Sequence, residues 1–563
     1  MIAAHPALLL FGTALAAAIV PARLRPPALL IGTSAALAAT IAIEPGAVWS
    51  MRVASFDLIL LDADPLSRLF GLIFALIALL GTIYALHVRT ASEHAATMSY
   101  AGAAVGLVFA GDWITVLACW ELMGLTSLAV IWHGGWRGSR SAGFRYLLVH
   151  AFGGSLFLAG ILVHLATGGS QQIGPLSAID SGLAYGLILI AVAINAAVPP
   201  LHAWLTDAYP EASVTGTVFL SAFTTKGAVY LLMRAFPGSE LLVWAGVAMA
   251  LYGVVYAVLE NDIRRLLAYH IVSQVGYMVA GVGMGTAMSL DGTAAHAFCH
   301  ILYKALLLMG AGAVLAATGR RKLTELGGIG RRMPAVVLLY MVGAFSISAV
   351  PLFNGFVSKT MIISAAAGEG RGWAELLLTL ASVGTFLHTG LKLPYFTFFG
   401  PDRDVPVRPL PRNMLAAMAL ASALCIGLGL YPEWLYARLP FQPVTYEPYT
   451  FDHIISEIEL LFGTGIGFWL LLRKLGGEPT MTLDTDWFYR RPLARLLAGV
   501  ITGLRAGGQA GHEVGAGMVA FLRRVIGAPS EAGTPDTDIY RQPLGSTVLW
   551  VLALLVALAM LRG

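Results

Sequence analysis

The chain has 563 residues, 58% of them apolar and only 12% charged, with a formal net charge of +4. A soluble domain carries about 25% charged residues, so this composition excludes an ordinary water-soluble protein, and the small net charge gives no reason to expect nucleic acid. Cys119, Cys299 and Cys425 stand far apart inside apolar runs; without metal-ligand spacing they read as small core residues.

Gly, Pro and charge clusters divide the chain into about 16 apolar segments, most near the roughly 20 residues that cross a hydrocarbon core. They run near 3–20, 27–43, 65–87, 94–111, 113–132, 143–166, 182–203, 214–235, 240–259, 266–284, 293–317, 333–366, 372–399, 413–431, 454–472 and 545–561. The first has no basic stretch before it, and Arg23 and Arg25 follow it, so a retained span is expected rather than a signal peptide. The segment at 182–203 ends in Pro199-Pro200. The one at 333–366 is too long for a straight helix and contains Pro351, Asn354 and Gly355. Both are expected to break. Between 474 and 544 an amphipathic stretch near 492–525, with Arg495, Arg505, Arg523 and Arg524, reads as a helix lying along the membrane surface.

With the N-terminus outside, one set of loops carries Arg23, Arg25, Arg89, Arg137, Arg140, Arg264, Arg265, Arg320, Arg321, Lys322, Arg331, Arg332, Arg403 and Arg408. The other carries Asp57, Asp62, Asp64, Asp180, Glu240, Asp291, Glu433 and Asp452. The alternation obeys the positive-inside rule; the two faces are called basic and acidic below.

Several spans hold ionisable residues. A charge at mid-bilayer costs about 2.5–3.5 kcal/mol and usually faces a pathway or a partner. Glu121, Lys226, His296, His300, Lys304 and Lys359 form the main set, and His270, His388 and Lys392 a secondary one. His296, His300 and Lys304 recur every fourth residue and share one helix face. Buried Lys and carboxylate groups tune one another's proton affinity, and histidine titrates near neutrality, so the set reads as a proton relay. The plainer reading makes Glu121 and Lys226 a static ion pair, His270 and His388 satisfied core histidines, and Lys392 a side chain snorkelling to the interface. No metal site, phosphate loop or nucleophile triad is visible, and no cofactor is expected.

Unwound backbone at membrane depth lines a cavity or is buried in protein, and transporters place such breaks in matching halves of inverted repeats. The two breaks, marked by Pro199, Pro200 and His202 and by Pro351 and Gly355, lie five spans apart. An odd offset inverts one half. Two five-helix units over 94–236 and 240–399 are therefore expected, preceded by helices in 1–93 and followed by peripheral helices in 400–473 and the tail 474–563. The fold class is an all-α polytopic membrane protein of about 14–16 transmembrane helices, with a surface helix and a last span.

At these residues the chain resembles a known family. PPLHAWLTDAYPEASVTGTVFLSAFTTKGAVYLLMR, NDIRRLLAYHIVSQVGYM, HAFCHILYKALLLMGAG and FNGFVSKTM are similar to motifs of the antiporter-like proton-pumping subunits of respiratory complex I and of Mrp/Pha multisubunit cation/proton antiporters. The D-type chain of the latter is closest. The resemblance covers roughly 60–430; the tail from TLDTDWFYRRP is similar to the end of the longest such subunit of complex I. It implies that Glu121 is the key carboxylate, Lys226 the lysine of the eighth span, His300 and Lys304 the central pair with His296 a turn earlier, and Lys359 the charged residue beside the second break. It departs at Asn195, where a lysine is expected, and at Arg264, where lysine is common. The implied function is proton translocation in a monovalent cation (Na+)/H+ antiporter, with other membrane subunits as partners, in a bacterial inner membrane. The alternatives are the membrane arm of an NADH-quinone oxidoreductase or membrane-bound hydrogenase, whose redox chemistry would belong to other chains, an inorganic-carbon uptake system, and a scaffold with a decayed proton path.

Overall fold

Every apolar segment expected up to residue 472 is helical in the computed structural model, which describes residues 4–53, 56–476 and 483–488 and a few positions between 491 and 499. The surface helix expected near 492–525 and the last span near 545–561 lie outside the continuously described residues. The chain opens with α1 (Pro6–Ile19), α2 (Arg25–Ala42), α3 (Pro65–Ala85), α4 (Ala91–Phe109), α5 (Trp113–Trp132) and α6 (Ser139–Ala166). The first broken span is α7 (Gly182–Asn195) and α8 (Ala203–Ala208), followed by α9 (Gly216–Ala222) and α10 (Thr224–Ala235). Next come α11 (Glu240–Leu259), α12 (Ile263–Met284), α13 (Ala287–Thr318), and the second broken span, α14 (Pro334–Ile347) and α15 (Asn354–Gly368). α16 (Gly372–Thr385) runs on through π turns at Phe386–Lys392 and Tyr395–Phe399. α17 (Arg412–Leu430), the short α18 (Glu433–Tyr436) and α19 (Phe451–Leu471) complete the bundle. Among the described residues ten helices are long and apolar enough to cross a membrane, and α1, α7 and α14 are shorter apolar helices.

The all-helical expectation needs one correction. Val48–Val53 and Phe56–Asp62 pair as an antiparallel hairpin, β1 and β2. Alternating Val, Trp, Phe and Ile suit a pleated surface, and this stretch has too few consecutive apolar residues to enter a bilayer. The hairpin is locked to the start of α5: the amide of Ile59 donates to Oδ2 of Asp112 at 2.6 Å, and the amide of Gly111 donates to the carbonyl of Ile59 at 2.9 Å.

Two stretches show the same local features 150 residues apart. Asp112 bridges to Gln172 and Asp262 to Lys322, each pair joining the start of one helix to the strand-like exit of the next. Asp112 caps α5 and Asp262 caps α12, each accepting from the two amides at N2 and N3, which satisfies donors a helix start leaves free. Each break follows with a non-glycine residue at positive φ, Ala197 at 60° and Ala349 at 59°. Gly355 is required at the second break, because a Cβ there would stand 1.6 Å from the carbonyl of Ser346.

α12 and α9–α10 are buried over their whole membrane windows, and α13 nearly so. The innermost helices are thus the ones carrying His270, Lys226 and the His296–Lys304 row.

Candidate functional site

α13 carries the centre of the site. His296, His300 and Lys304 line one face, and all three are inaccessible to solvent. The ammonium of Lys304 lies 3.1 Å from Nδ1 of His270 on α12 and donates to the carbonyl of Leu267 at 3.2 Å. A charged lysine only donates, so the neutral His270 ring accepts at Nδ1. Nε2 of His270 meets Oγ1 of Thr385 at 3.3 Å, and the ring stands edge-on to His388 with centroids 4.7 Å apart. Nδ1 of His388 lies 2.7 Å from Oγ1 of Thr389. His388 and Lys392 sit on the π turns that continue α16, a local widening often found at functional sites.

Lys392 does not snorkel. It is fully buried and donates to the carbonyls of Val258 and Glu260, at 2.5 and 3.0 Å, where α11 ends. There a cation meets the negative end of the helix dipole.

On the other side of Lys304, the ring of His296 lies 6.0 Å from that of His300, and its Nδ1 is 3.4 Å from Oγ of Ser358. Lys359 follows on α15. Its ammonium donates to Oγ of Ser382 at 2.6 Å and to the carbonyl of Ile347 at 3.3 Å. Ile347 ends α14, so its carbonyl has lost its helical donor and the lysine replaces it. Among the described residues, both ring nitrogens of His300, and Nε2 of His296 and of His388, are buried without a protein partner.

Lys226 occupies an unexpected break. The eighth span is interrupted at Phe223, with φ −98° and ψ −64°. The freed carbonyl of Ser221 accepts from the Lys226 ammonium at 2.8 Å, and Oγ1 of Thr225 at 3.1 Å. The proposed ion pair with Glu121 is therefore absent. Glu121 lies on the exposed face of α5 beside Leu122 and Leu125. Its carboxylate crosses Gly154 of α6, where a Cβ would come 1.8 Å from Oε1.

His150 was missed by the sequence reading. It lies on α6, 6% exposed, packed between Tyr146 and Trp204, with Nε2 unpartnered among the described residues. Asn195, buried at the end of α7, faces it. His150 stands 150 positions before His300, the same spacing as the paired caps, and that recurrence was available in the sequence. Arg264 is buried and structural: it donates to the carbonyls of Ala212 and Ser213 at 3.0 and 3.1 Å and to Thr217, fixing the turn after the first break.

That break holds a contact the sequence did not suggest. His202, beside Pro199-Pro200, is fully buried, with Nε2 3.3 Å from Oδ2 of Asp484 in the tail. Asp484 also accepts from the hydroxyls of Tyr269, at 2.5 Å, and Tyr252.

Residues 110–387 match the model of the NADH:quinone oxidoreductase/Mrp antiporter transmembrane family. The chain belongs to this family. The match spans both breaks, Glu121, and the buried ionisable residues from Lys226 to Lys359. The chain is 25% identical over 402 residues to the D-type chain of the Na+/H+ antiporter of Bacillus subtilis, covering 67% of this chain and 81% of that one. It is 32% identical over 362 residues to an uncharacterized protein of Mycobacterium tuberculosis, spanning 57% of this chain and 56% of that relative's length. Its fold is that of a chain in the Mrp complex from Dietzia sp., with TM-score 0.71, 24% identity, and 81% of this chain and 98% of that one covered.

Proposed function

We propose that this chain is a proton-conducting membrane subunit of a multisubunit monovalent cation (Na+)/H+ antiporter in a bacterial cytoplasmic membrane. The observation that carries this reading is the contact of Lys304 with His270, 3.1 Å apart and sealed from solvent. A desolvated ammonium facing a neutral imidazole is costly as static structure and useful where a proton passes between them. The row runs from Lys226 through His300, Lys304, His270 and His388 in one direction, and through His296 to Lys359 in the other. Two inverted five-helix units over 94–236 and 240–399 account for the paired caps and breaks. In the first unit His150 supplies the titratable group beside Asn195, which itself carries no exchangeable charge. Other membrane subunits cover the face bearing Glu121.

The experiment is proton flux in inverted membrane vesicles, with the whole gene cluster expressed in a host lacking its own sodium/proton antiporters. Added sodium should collapse an imposed pH gradient, and a Lys304→Ala version should not. The family description also names NADH:quinone oxidoreductase, which favours a membrane-arm role as the second reading. Proton uptake driven by NADH or hydrogen, with no sodium response, would establish that one instead.

A further inference from the structure

α19 turns an apolar face to the lipid and a polar one to the bundle, as a peripheral membrane helix does. Its apolar side chains Ile458, Phe462, Ile466, Trp469 and Leu470 face outward. The residues it buries are Glu457, Thr464 and Phe468. Glu457 is 7% exposed on a helix otherwise largely open. An ionisable residue in a membrane helix almost always faces the bundle interior, where it meets a partner or lines a pathway.

The interior offers both. Glu457 and Thr464 line a cavity of about 10 Å³ together with Ser348, Ser382 and Phe386. That is close to the ~10–15 Å³ that holds one water, which needs two to four polar partners; the two serines, the threonine and the carboxylate supply them. Oγ of Ser382 is the atom to which Lys359 donates at 2.6 Å. Lys359 also donates to the carbonyl of Ile347 and forms no direct ion pair with Glu457, so the two charges are linked through Ser382 and the cavity. Lys359 lies nine residues before the acidic-face end of α15, and Glu457 six residues inside that end of α19. At 1.5 Å per residue these depths are about 14 and about 9 Å, so Glu457 is a step nearer that surface.

We propose that Glu457 is the terminal proton-carrying group of the relay, joining Lys359 to the acidic face of the membrane. The proposal rests on the proton-conducting reading above. The Lys359 ammonium gives a proton through the Ser382 hydroxyl and one water to the Glu457 carboxylate, leaving a neutral amine and a carboxylic acid. The acid releases the proton to surface water and returns to the carboxylate; flow in the other direction reverses each step. The titratable groups facing Glu457 from neighbouring elements are Lys359, Tyr277 and Tyr446, and no second carboxylate competes for the proton among the described residues that line the cavity.

The test is sodium-driven proton flux against pH in inverted vesicles carrying the complete gene cluster, for wild type, Glu457→Gln and Glu457→Asp. Complex yield is read on native gels. Glu457→Gln is expected to assemble and lose at least tenfold in rate. Glu457→Asp is expected to keep a measurable rate with a displaced pH profile, which a mere countercharge for Lys359 would not produce. Wild-type rate and profile in an assembled Glu457→Gln complex overturn the proposal. If that variant fails to assemble, the Asp variant decides, and an unshifted profile at full rate overturns it. An inactive wild type instead overturns the transport reading on which the proposal stands.

Discussion

His202 and Asp484 are 282 positions apart in the chain, yet Nε2 of one lies 3.3 Å from Oδ2 of the other, at the first helix break. Leu483 and Thr485 flank the contact, accepting from Tyr256 at 3.0 Å and donating to the carbonyl of Pro200 at 3.3 Å. The tail therefore covers the basic-face side of the unwound segment. Removing the acceptor charge should expose it. In Asp484→Asn, hydrogen exchange of the peptide spanning 200–206 is expected to rise at least tenfold over wild type, measured on the assembled complex. Unchanged protection would show that the tail docks by its neighbours alone.

The same carboxyl gives a pH dependence. Burial pushes Asp484 up, but the hydrogen bonds and charge of His202 and the hydroxyls of Tyr252 and Tyr269 outweigh it and hold the carboxyl well below the usual range. A carboxyl whose folded value is depressed contributes its full stabilisation above its unfolded value, about 3.9. The contribution is lost as pH falls through the folded value. Protection of the 200–206 peptide should therefore be flat from pH 5 to 8, roughly above the titration range of a free carboxylate, and fall only in stronger acid. A loss of protection within that pH range would show that the Asp484 carboxyl does not govern it.

Lys304→Ala should abolish transport, by at least two orders of magnitude in vesicle flux, while the complex still assembles. His270→Gln, which keeps a polar side chain beside Lys304 but removes the imidazole, should cost at least tenfold. Equal rates for His270→Gln and wild type would take His270 out of the path.

Glu121→Ala should likewise stop transport without preventing assembly. Gly154→Ala offers a finer probe, because its new methyl would meet Oε1 of Glu121 at 1.8 Å. The carboxylate is the far end of a flexible side chain, so it moves aside rather than breaking the helix pair. Transport is expected to fall severalfold, with the melting temperature of the purified complex within a few degrees of wild type.

Lys226 also holds the backbone together at the break in the eighth span. Lys226→Met leaves the buried carbonyl of Ser221 unpaired, at a cost of about 1–3 kcal/mol. Thermal unfolding of the purified complex should shift down accordingly, along with lost flux. A variant that loses flux but not stability would show that the Ser221 contact is dispensable to the fold.

The helices were legible because roughly 20 apolar residues between charged breaks admit little else in a bilayer. Both broken spans were legible from Pro199-Pro200 and from Pro351 with Gly355. The interruption at Phe223 was not, since neither Gly nor Pro marks it, and the hairpin at 48–62 was hidden by its shortness. Composition placed Glu121 in a span but not on a face: α5 is apolar all round, so nothing in the sequence turned the carboxylate outward, away from Lys226. His150 and Glu457 both stood in plain view as ionisable residues inside expected spans. Asp484 lay beyond sequence reading, because its partners come from the seventh, ninth and tenth expected spans and only the folded chain assembles them.

Glu121 also bears on how this protein is made. It lies ninth among the 20 residues of α5 and on the open face of that helix, so a copy inserted alone presents a carboxylate to acyl chains, at about 2.5–3.5 kcal/mol. Covering by a neighbouring chain removes that cost. A surplus copy is thereby chemically distinct from an incorporated one, and the bilayer gives membrane quality control a way to sort the two. Matching this chain's synthesis to that of its neighbours would then rest on a residue also assigned to ion movement.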